Sequence, residues 1–588
     1  MLARKTQAVN LGSPKTSPVN TMTISLRICW LWFCLVGIGC ASRAPVVEPS
    51  PAYAAVYGDQ RGAVASVNPL ATQAGLRAFA DGGNALDAAL AVAFTLGVVD
   101  PHNSGIGGGC FILARLADGR VLAIDGREMA PGGITREHYL EGGKVQPERS
   151  KIGALAVGIP GSVAALHRLH SLGGKLSWSK VLLPAAEVAE AGFAIDGTMA
   201  ERLLSNRERL ARFPEAAAVF LRADGTAPGR GELLRQPDLA ATYRALAQQG
   251  PDWFYRGDFA ERTGRWMAAN GGVVRAEDFH DYTIQLRQPL HTRFRGFDVY
   301  GFPAPSSGGT HVAQILAMIE PLDLKSLSEV DYYHTVGEAM RLAFADRSYW
   351  LGDPDFVKVP AGLLDPTYLA ERASGIQLNQ RMPQVNHGLP PDADPGFDRH
   401  TTHIATADAE GNWVAITSTI NTSFGSKVVV PGTGVLLNNQ MDDFSLAPGL
   451  PNAFGLVGEQ ANSVAPHKRP LSSMSPTLVL QGGQPVLTLG AAGGPTIISQ
   501  VTQVLLRHLA LGEPLDQAMS GLRVHQQWQP DLLFVESSMT PDLRVALEKK
   551  GHTLRDLGSF GGTQAIGLKE GHFIPVTEPR VIERNSSQ

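Results

Sequence analysis

Residues 390–400 read PPDADPGFDRH and residues 401–420 read TTHIATADAEGNWVAITSTI, and the fold turns on the change of character between them. Ahead of the junction, from Ser374 to Asp398, Pro383, Pro390, Pro391 and Pro395 stand among polar residues with little periodicity, which predicts a mobile stretch. Behind it, Thr401–Thr406 and Trp413–Ile420 are rich in β-branched residues and read as strands, with Asp408, Glu410, Gly411 and Asn412 supplying the turn. A mobile segment feeding straight into a buried strand is expected where a chain is cut and its new end is held in a site. A threonine at such an end acquires chemistry that an internal one lacks. Its hydroxyl is a poor nucleophile, but a freed α-amine, with an ordinary pKa of roughly 7.7–8.0, can take the proton. Exposing that amine requires scission between His400 and Thr401, by attack of the Thr401 hydroxyl on the preceding carbonyl and hydrolysis of the resulting ester. The precursor is then expected to be inert. Strand threonines are common, and the tripeptide alone does not single out Thr401. His400 and His403 also make an H-x-x-H pattern, but no carboxylate or third ligand sits at a suitable spacing, so no metal is expected.

The whole chain has 588 residues, 44% hydrophobic and 18% charged, enough apolar surface for a large core without staples. A net charge of -4 with no long Lys/Arg block excludes a nucleic-acid partner. Leu26 to Ile38 is an apolar run followed by Gly39-Cys40-Ala41-Ser42, which reads as a secretory leader, with Met22 a second candidate start. The run is shorter than the ~20 residues of a membrane-spanning helix. Export to the periplasm or cell surface is the expectation. Cys29, Cys34 and Cys40 lie in or just after this segment, which leaves Cys110 alone in the body and no disulfide to form. Cys40 resembles the lipid-bearing cysteine of a bacterial lipoprotein, although Gly37 stands where a larger aliphatic residue is usual, and both lipid anchoring and plain cleavage stay open. The expected organisation is a leader over 1–40, a tether over 41–60, a large segment over 61–400 whose last part, 373–400, is mobile, and a small segment over 401–588.

Asn68-Pro69 predicts a capped helix start, with Gly82-Gly83 ending the helix and a second, nearly all-apolar helix from Ala85 to about Val98. Phe111–Arg115 and Val121–Ile124, split by Asp118-Gly119, read as a β-hairpin. Helices dominate the middle; one around Val336 to Trp350 carries Met340, Ala343 and Phe344 on one face before Asp353-Pro354. The Gly105–Gly109 run lacks the spacing of a dinucleotide fingerprint and the Lys-Ser/Thr ending of a phosphate loop, and reads as a close-packed backbone turn. Cys110 beside it reads as a small buried residue.

The motifs Thr401-Thr402-His403, Thr419-x-Asn421-Thr422, Asn438-Asn439-Gln440-Met441-Asp442-Asp443-Phe444, Lys468 to Pro476 and Gly493-Gly494 resemble the small subunit of γ-glutamyltransferases. Ser104 to Gly109, Asp125 to Pro131, Val157 to Gly161 and Pro305 to Gly309 resemble the large subunit of the same family, so the resemblance runs from about residue 60 to the end. It implies an α+β fold, a four-layer αββα sandwich of the N-terminal nucleophile hydrolase type, formed from two fragments of one autoprocessed precursor.

The resemblance also implies roles. Thr401 is the nucleophile, supported by the Thr419 hydroxyl, and the backbone amides of Gly493 and Gly494 make the oxyanion hole. Arg127, with Ser472 and Ser473, takes the substrate α-carboxylate. Asp443, with the amide oxygens of Asn421 and Gln440, takes the α-ammonium, and Asp443 is expected to touch substrate only. Pro448 to Glu459 resembles a lid, with Phe454 where tyrosine is common. His525 to Trp528 and Glu578 to Val581 depart from the family pattern. The implied activity moves a γ-glutamyl group from glutathione and similar donors to water, amino acids or peptides, without a cofactor. A glutaryl or cephalosporin-type acylase on the same scaffold and a non-catalytic binder of γ-glutamyl peptides are the alternatives.

Overall fold

Side-chain alternation along two neighbouring strands sets the layers. In the strand Thr402–Asp408, Ile404 belongs to one apolar core and Ala405 and Ala407 to another; in Trp413–Thr419, Val414 and Ile416 share the first core while Trp413 and Ala415 share the second. Successive side chains of a strand leave on opposite faces, so each strand separates two cores. The computed structural model describes residues 61–391, 402–447, 451–458 and 460–586, all within the unit Pro51–Gln588. The leader over 1–40 with Cys40, the tether over 41–60 and the cleavage pair His400 and Thr401 lie outside the described residues.

Two antiparallel sheets are stacked. We label their strands β1 (Gly62–Ala65), β2 (Gly109–Arg115), β3 (Val121–Gly126), β4 (Gln285–Arg287), β5 (Leu290–Phe294), β6 (Phe297–Gly301), β7 (Thr402–Asp408), β8 (Trp413–Thr419), β9 (Thr477–Gln481), β10 (Gln484–Gly490), β11 (Gln564–Lys569) and β12 (His572–Thr577). The first sheet has the order β1-β7-β8-β2-β3-β4 and the second β12-β11-β10-β9-β6-β5. Between them lies a core rich in small residues, with Ala63, Ala65, Ala123, Ala405 and Ala415 from one sheet and Leu478, Leu480 and Ile566 from the other. Small side chains on the facing surface let the sheets approach closely. The filling comes from a few rings, Trp413 against Phe573 at 5.8 Å and Phe111 stacked on Phe302 at 4.2 Å.

Helices cover both outer faces. On the first sheet lie α1 (Pro69–Ala80) and α2 (Ala85–Val99), with helices further along packed behind them; on the second lie α3 (Gly308–Ile319), α4 (Glu329–Trp350) and α5 (Thr496–Leu505). The result is the αββα sandwich that the resemblance implies. The local expectations hold. Asn68 caps α1 by accepting from the Leu70 amide, and α2 is buried along nearly its whole length. The Asp118-Gly119 turn joins β2 to β3, Gly119 taking φ +91°. Asp408 organises the β7–β8 turn, its Oδ1 accepting from the amides of Glu410 and Asn412.

Two expectations change. The helix foreseen at Val336–Trp350 starts earlier, at Glu329, where the Ser328 side chain accepts from the Asp331 amide, and it is buried on all sides rather than along one face. It runs through the middle of its layer, so Glu338, Arg341 and Arg347 are buried with Met340 and Phe344. The segment expected to be mobile is laid against the body as far as residue 391. The Arg381 amide donates to the Lys550 carbonyl at 2.7 Å and the Met382 amide to Glu338 Oε2 at 2.8 Å, while residues 392–400 lie outside the described set.

Candidate active site

The hairpin strand β3 ends at Gly126 and delivers Arg127 and Glu128 into the interior, where both side chains are fully buried. Arg127 Nη2 donates to Asp443 Oδ2 at 2.6 Å and to the Leu471 carbonyl at 3.0 Å, and Nε donates to the Pro470 carbonyl at 2.9 Å. Its Nη1 has a longer contact, 3.4 Å to Glu128 Oε2. The same Asp443 oxygen accepts from Gln440 Nε2 at 2.6 Å. Arg127, Gln440, Asp443 and the Pro470–Ser473 segment therefore form one buried, charge-assisted cluster. This corrects one expectation: Asp443 does not wait for substrate alone. A guanidinium taken fully out of water requires a counter-charge, and Asp443 supplies it.

Ser472 and Ser473 are both fully buried beside this pair. The Ser307 amide donates to the Ser472 carbonyl at 2.7 Å and the Ser472 amide to the Pro305 carbonyl at 2.8 Å, which joins the Pro305–Gly309 motif to the serine motif. Arg347, from the buried middle of α4, donates through Nε to Ser307 Oγ at 2.8 Å and through Nη2 to Ser473 Oγ at 3.3 Å.

A second group stands at the end of β8. Thr402 pairs with Ser418, and Thr419 follows as the last residue of the strand. Its Oγ1 accepts from the Asn421 amide at 2.8 Å. Asn421 holds φ +76°, a left-handed conformation that asparagine tolerates better than most residues, and its Nδ2 donates to the Asn439 carbonyl at 3.0 Å. The glycine run fits as a close-packed turn: a Cβ on Gly108 would lie 1.9 Å from the Thr419 carbonyl oxygen. Asn438 locks the surroundings, donating to the carbonyls of Gly107 and Gly158 and accepting from the Gly158 and Gln440 amides. Among the buried acceptors without a hydrogen-bond partner among the described residues are two amide oxygens here, Asn421 Oδ1 and Gln440 Oε1. Unsatisfied buried oxygens are uncommon, and a pair of them asks for a donor from outside.

Asn421, Gly493, Gly494 and Phe454 line a cleft of about 570 Å³. Gly493 and Gly494 take φ of +125° and +65° just ahead of α5, and neither amide has an acceptor among the described residues. Phe454 sits on a segment held by backbone contacts. The Ala453 amide donates to Asp442 Oδ2 at 3.1 Å, and Asn452 closes a tight turn by donating its amide to the Leu456 carbonyl at 3.0 Å. Residues 448–450 and 459 of the expected lid lie outside the described set. Among residues that sequence reasoning missed, Glu128 and Arg347 matter most, since charged side chains on a hairpin end and a helix carry no local sign of burial. The tail residues Glu578 and Arg580 join Arg523 and Glu536 in buried ion pairs of 2.6–2.9 Å. Cys110 is buried, and burial pushes its thiol well up.

Of the carboxylates near Arg127, Glu128 is shifted by its surroundings. Burial pushes Glu128 up to about 7, against the opposing pull of Arg127. Because the folded pKa exceeds the unfolded one, the associated stability is whole below about 4.5 and is lost as pH rises to about 7. Glu128→Gln removes this titration. Relative to the parent, the variant is expected to gain on the order of 3 kcal/mol between pH about 4.5 and about 7.5. Urea midpoints of both proteins at the two pH values check this, and parallel midpoints would refute it.

Comparison with known proteins gives the setting of this site. A family model described as Gamma-glutamyltranspeptidase matches residues 71–587. The "Glutathione hydrolase proenzyme" of Escherichia coli (strain K12) is 40% identical over 530 residues, covering 89% of this chain and 91% of that protein. Among solved structures, a cephalosporin acylase from Bacillus halodurans superposes with a TM-score of 0.80 at 29% identity, covering 91% of this chain and 97% of its own. A Helicobacter pylori gamma-glutamyltranspeptidase chain, 36% identical, covers 58% of this chain and 99% of its own with a TM-score of 0.56. A match that takes in both sheets, the glycine loop and the Arg127–Asp443 cluster leaves one assignment: this chain belongs to the gamma-glutamyltranspeptidase family.

Proposed function

We propose that this protein is a self-cleaving γ-glutamyl transferase and hydrolase acting on glutathione and related γ-glutamyl amides, with Thr401 as nucleophile. The observation that carries this reading is the pair of unpartnered amide oxygens, Asn421 Oδ1 beside the cleft and Gln440 Oε1 on the side chain that donates to Asp443 of the buried arginine–aspartate cluster. An α-ammonium entering here would donate to both oxygens and meet the charge of Asp443, while the α-carboxylate would meet Arg127 Nη1 with Ser472 and Ser473. Fixing both charged groups of the γ-glutamyl unit directs its distal carbonyl toward the head of β7, and such positioning supplies a large part of a rate enhancement.

The chemistry then needs a base, a nucleophile and an anion hole. The Thr401 amine takes the proton of its own hydroxyl, the oxygen adds to the amide carbonyl, and the amides of Gly493 and Gly494 donate to the oxyanion. Collapse expels the leaving amine, which takes the proton from the Thr401 ammonium. Water or another amine repeats the steps in reverse and frees Thr401. Thr419, one residue beyond the partner of Thr402, would support that hydroxyl.

Scission between His400 and Thr401 would give fragments 61–400 and 401–588 that cannot drift apart. Strands β7 and β8 sit between β1 and β2, and β9 pairs with β6, so backbone ladders cross between the two parts in both sheets. N-terminal sequencing of the smaller fragment is expected to begin Thr-Thr-His, and any other start overturns the assignment. The likeness to a cephalosporin acylase favours a second reading, a glutaryl acylase. A glutaryl group has no ammonium to satisfy Asn421 and Gln440, so faster turnover of γ-glutamyl than of glutaryl substrates is expected. The apolar run over 26–38 supports export of the mature enzyme.

A further inference from the structure

The cleft that holds Asn421, Gly493 and Gly494 continues past them to a wall that donor binding does not use. Two helices make this wall: Gly197–Leu210, with Thr198 and Arg202, and the final helix Pro579–Ser586, with Arg584 and Asn585. Thr198 Oγ1 donates to Asn585 Oδ1 at 2.5 Å and ties the two together. Arg584 rests on backbone, donating through Nη2 to the Gly561 carbonyl at 2.6 Å and through Nη1 to the Ser559 carbonyl at 3.4 Å. Arg202 is exposed, and its guanidinium has no hydrogen-bond or ion-pair partner among the described residues.

Several carboxylates lie near these charges, and two of them, Glu578 and Glu201, act on Arg584. Asp196 is engaged as the cap of its helix, accepting from the Met199 amide at 2.7 Å. Asp100 is buried, which pushes its carboxyl well above the usual range toward the neutral form, and its neighbour His102 is lowered to about 3 by burial and then by Arg202. Glu201 lies beside Arg202 on the helix, and Glu578 is paired with Arg523 and Arg580. Arg584 is itself held below its ordinary range, first by burial, with Glu578 opposing and with Arg202 and Arg580 acting in the same direction as burial. Two guanidinium groups that face one cleft and repel each other favour an anion between them.

We propose that Arg202 and Arg584 form the carboxylate subsite on the far side of the scissile amide, binding the C-terminal carboxylate of a peptide leaving group and of a peptide acceptor. The inference rests on the γ-glutamyl reading. A leaving amine departs on the side of the carbonyl away from the α-carbon, and an acceptor amine must return along the same path. A dipeptide so placed directs its amine to the acyl group and its carboxylate to the arginines. A planar fork suits that carboxylate better than a point charge.

The test compares two donors on the mature enzyme: glutathione, whose leaving group carries a carboxylate, and a γ-glutamyl anilide, whose leaving group carries none. Arg202 is exposed on a helix, so its replacement leaves the core intact. In Arg202→Ala the ratio of kcat/KM for glutathione to that for the anilide is expected to fall about fivefold, and in Arg202→Glu about twentyfold, with Arg202→Lys keeping most of it. Raising the salt concentration should shrink the parent's preference, because an exposed pair is screened. A ratio unchanged in Arg202→Glu, with normal anilide turnover, overturns the subsite alone. Failure of the unsubstituted enzyme to turn over either donor overturns the γ-glutamyl reading and the subsite with it.

Discussion

Thr401→Ala is expected to yield one unbroken chain with γ-glutamyl turnover reduced on the order of 10⁴-fold or more. The size of the effect follows from one hydroxyl serving twice. It attacks the His400 carbonyl to cut the precursor, and it then attacks each substrate. Before the cut, the Thr401 nitrogen is an amide with no basic lone pair, so an uncut chain lacks its base even where the hydroxyl is present. Losing the methyl-bearing alcohol does not unfold the chain, because β7 is held by β1 on one side and β8 on the other through backbone hydrogen bonds. Intact mass, circular dichroism and turnover of a γ-glutamyl anilide measure the three parts of this expectation. Thr401→Ser retains a hydroxyl and should still divide. Two fragments meeting at 400/401 in the alanine variant would remove Thr401 from both reactions.

Asp443→Asn should raise the KM for γ-glutamyl donors about 100-fold with a smaller change in kcat, the loss expected when a charge-assisted hydrogen bond to an ammonium is removed. Asparagine removes the counter-charge but keeps the shape and one acceptor oxygen for Arg127 Nη2 and Gln440 Nε2, which both donate to Asp443 Oδ2, so the buried guanidinium stays hydrogen-bonded. Asp443→Ala is a different experiment. It strands the Arg127 charge in a fully buried position, and breaking a buried pair from one side costs about 3–5 kcal/mol. Poor accumulation of divided, soluble enzyme is expected of the alanine variant, whereas the asparagine variant should mature. Turnover of a glutaryl substrate, which has no ammonium, should be the less affected by Asp443→Asn. A KM within twofold of the parent would take Asp443 out of ammonium recognition and leave it as the partner of Arg127.

Local chemistry wrote much of the secondary structure directly into the chain. Asn68-Pro69 starts α1 because one side-chain oxygen and one fixed φ meet the needs of a first helical turn. Asp118-Gly119 makes the β2–β3 turn because glycine accepts φ +91°. The same holds for β7 and β8, whose β-branched residues and Asp408 turn can be read within twenty residues. The motifs of the site were equally legible by type: two glycines, an arginine, an aspartate and two amides, in family order.

Other features depended on residues far apart. Arg127 and Asp443 are 316 positions from each other, and nothing local to either says that one neutralises the other. Glu329–Trp350 carries enough charge to resemble a helix with a wet face, yet packing on every side buries Glu338, Arg341 and Arg347. The sequence by itself determined which segments would be strands, helices and turns, and which residue types could hold a γ-glutamyl group, since those follow from each residue's own sterics and donors. Only the tertiary structure decided that β7 would lie between β1 and β8, that Asp443 would serve Arg127, and that Arg202 and Arg584 would face one cleft. Those arrangements arise where long-range sheet pairing and burial bring distant charges into one low-dielectric space, and desolvation there sets their protonation and partners.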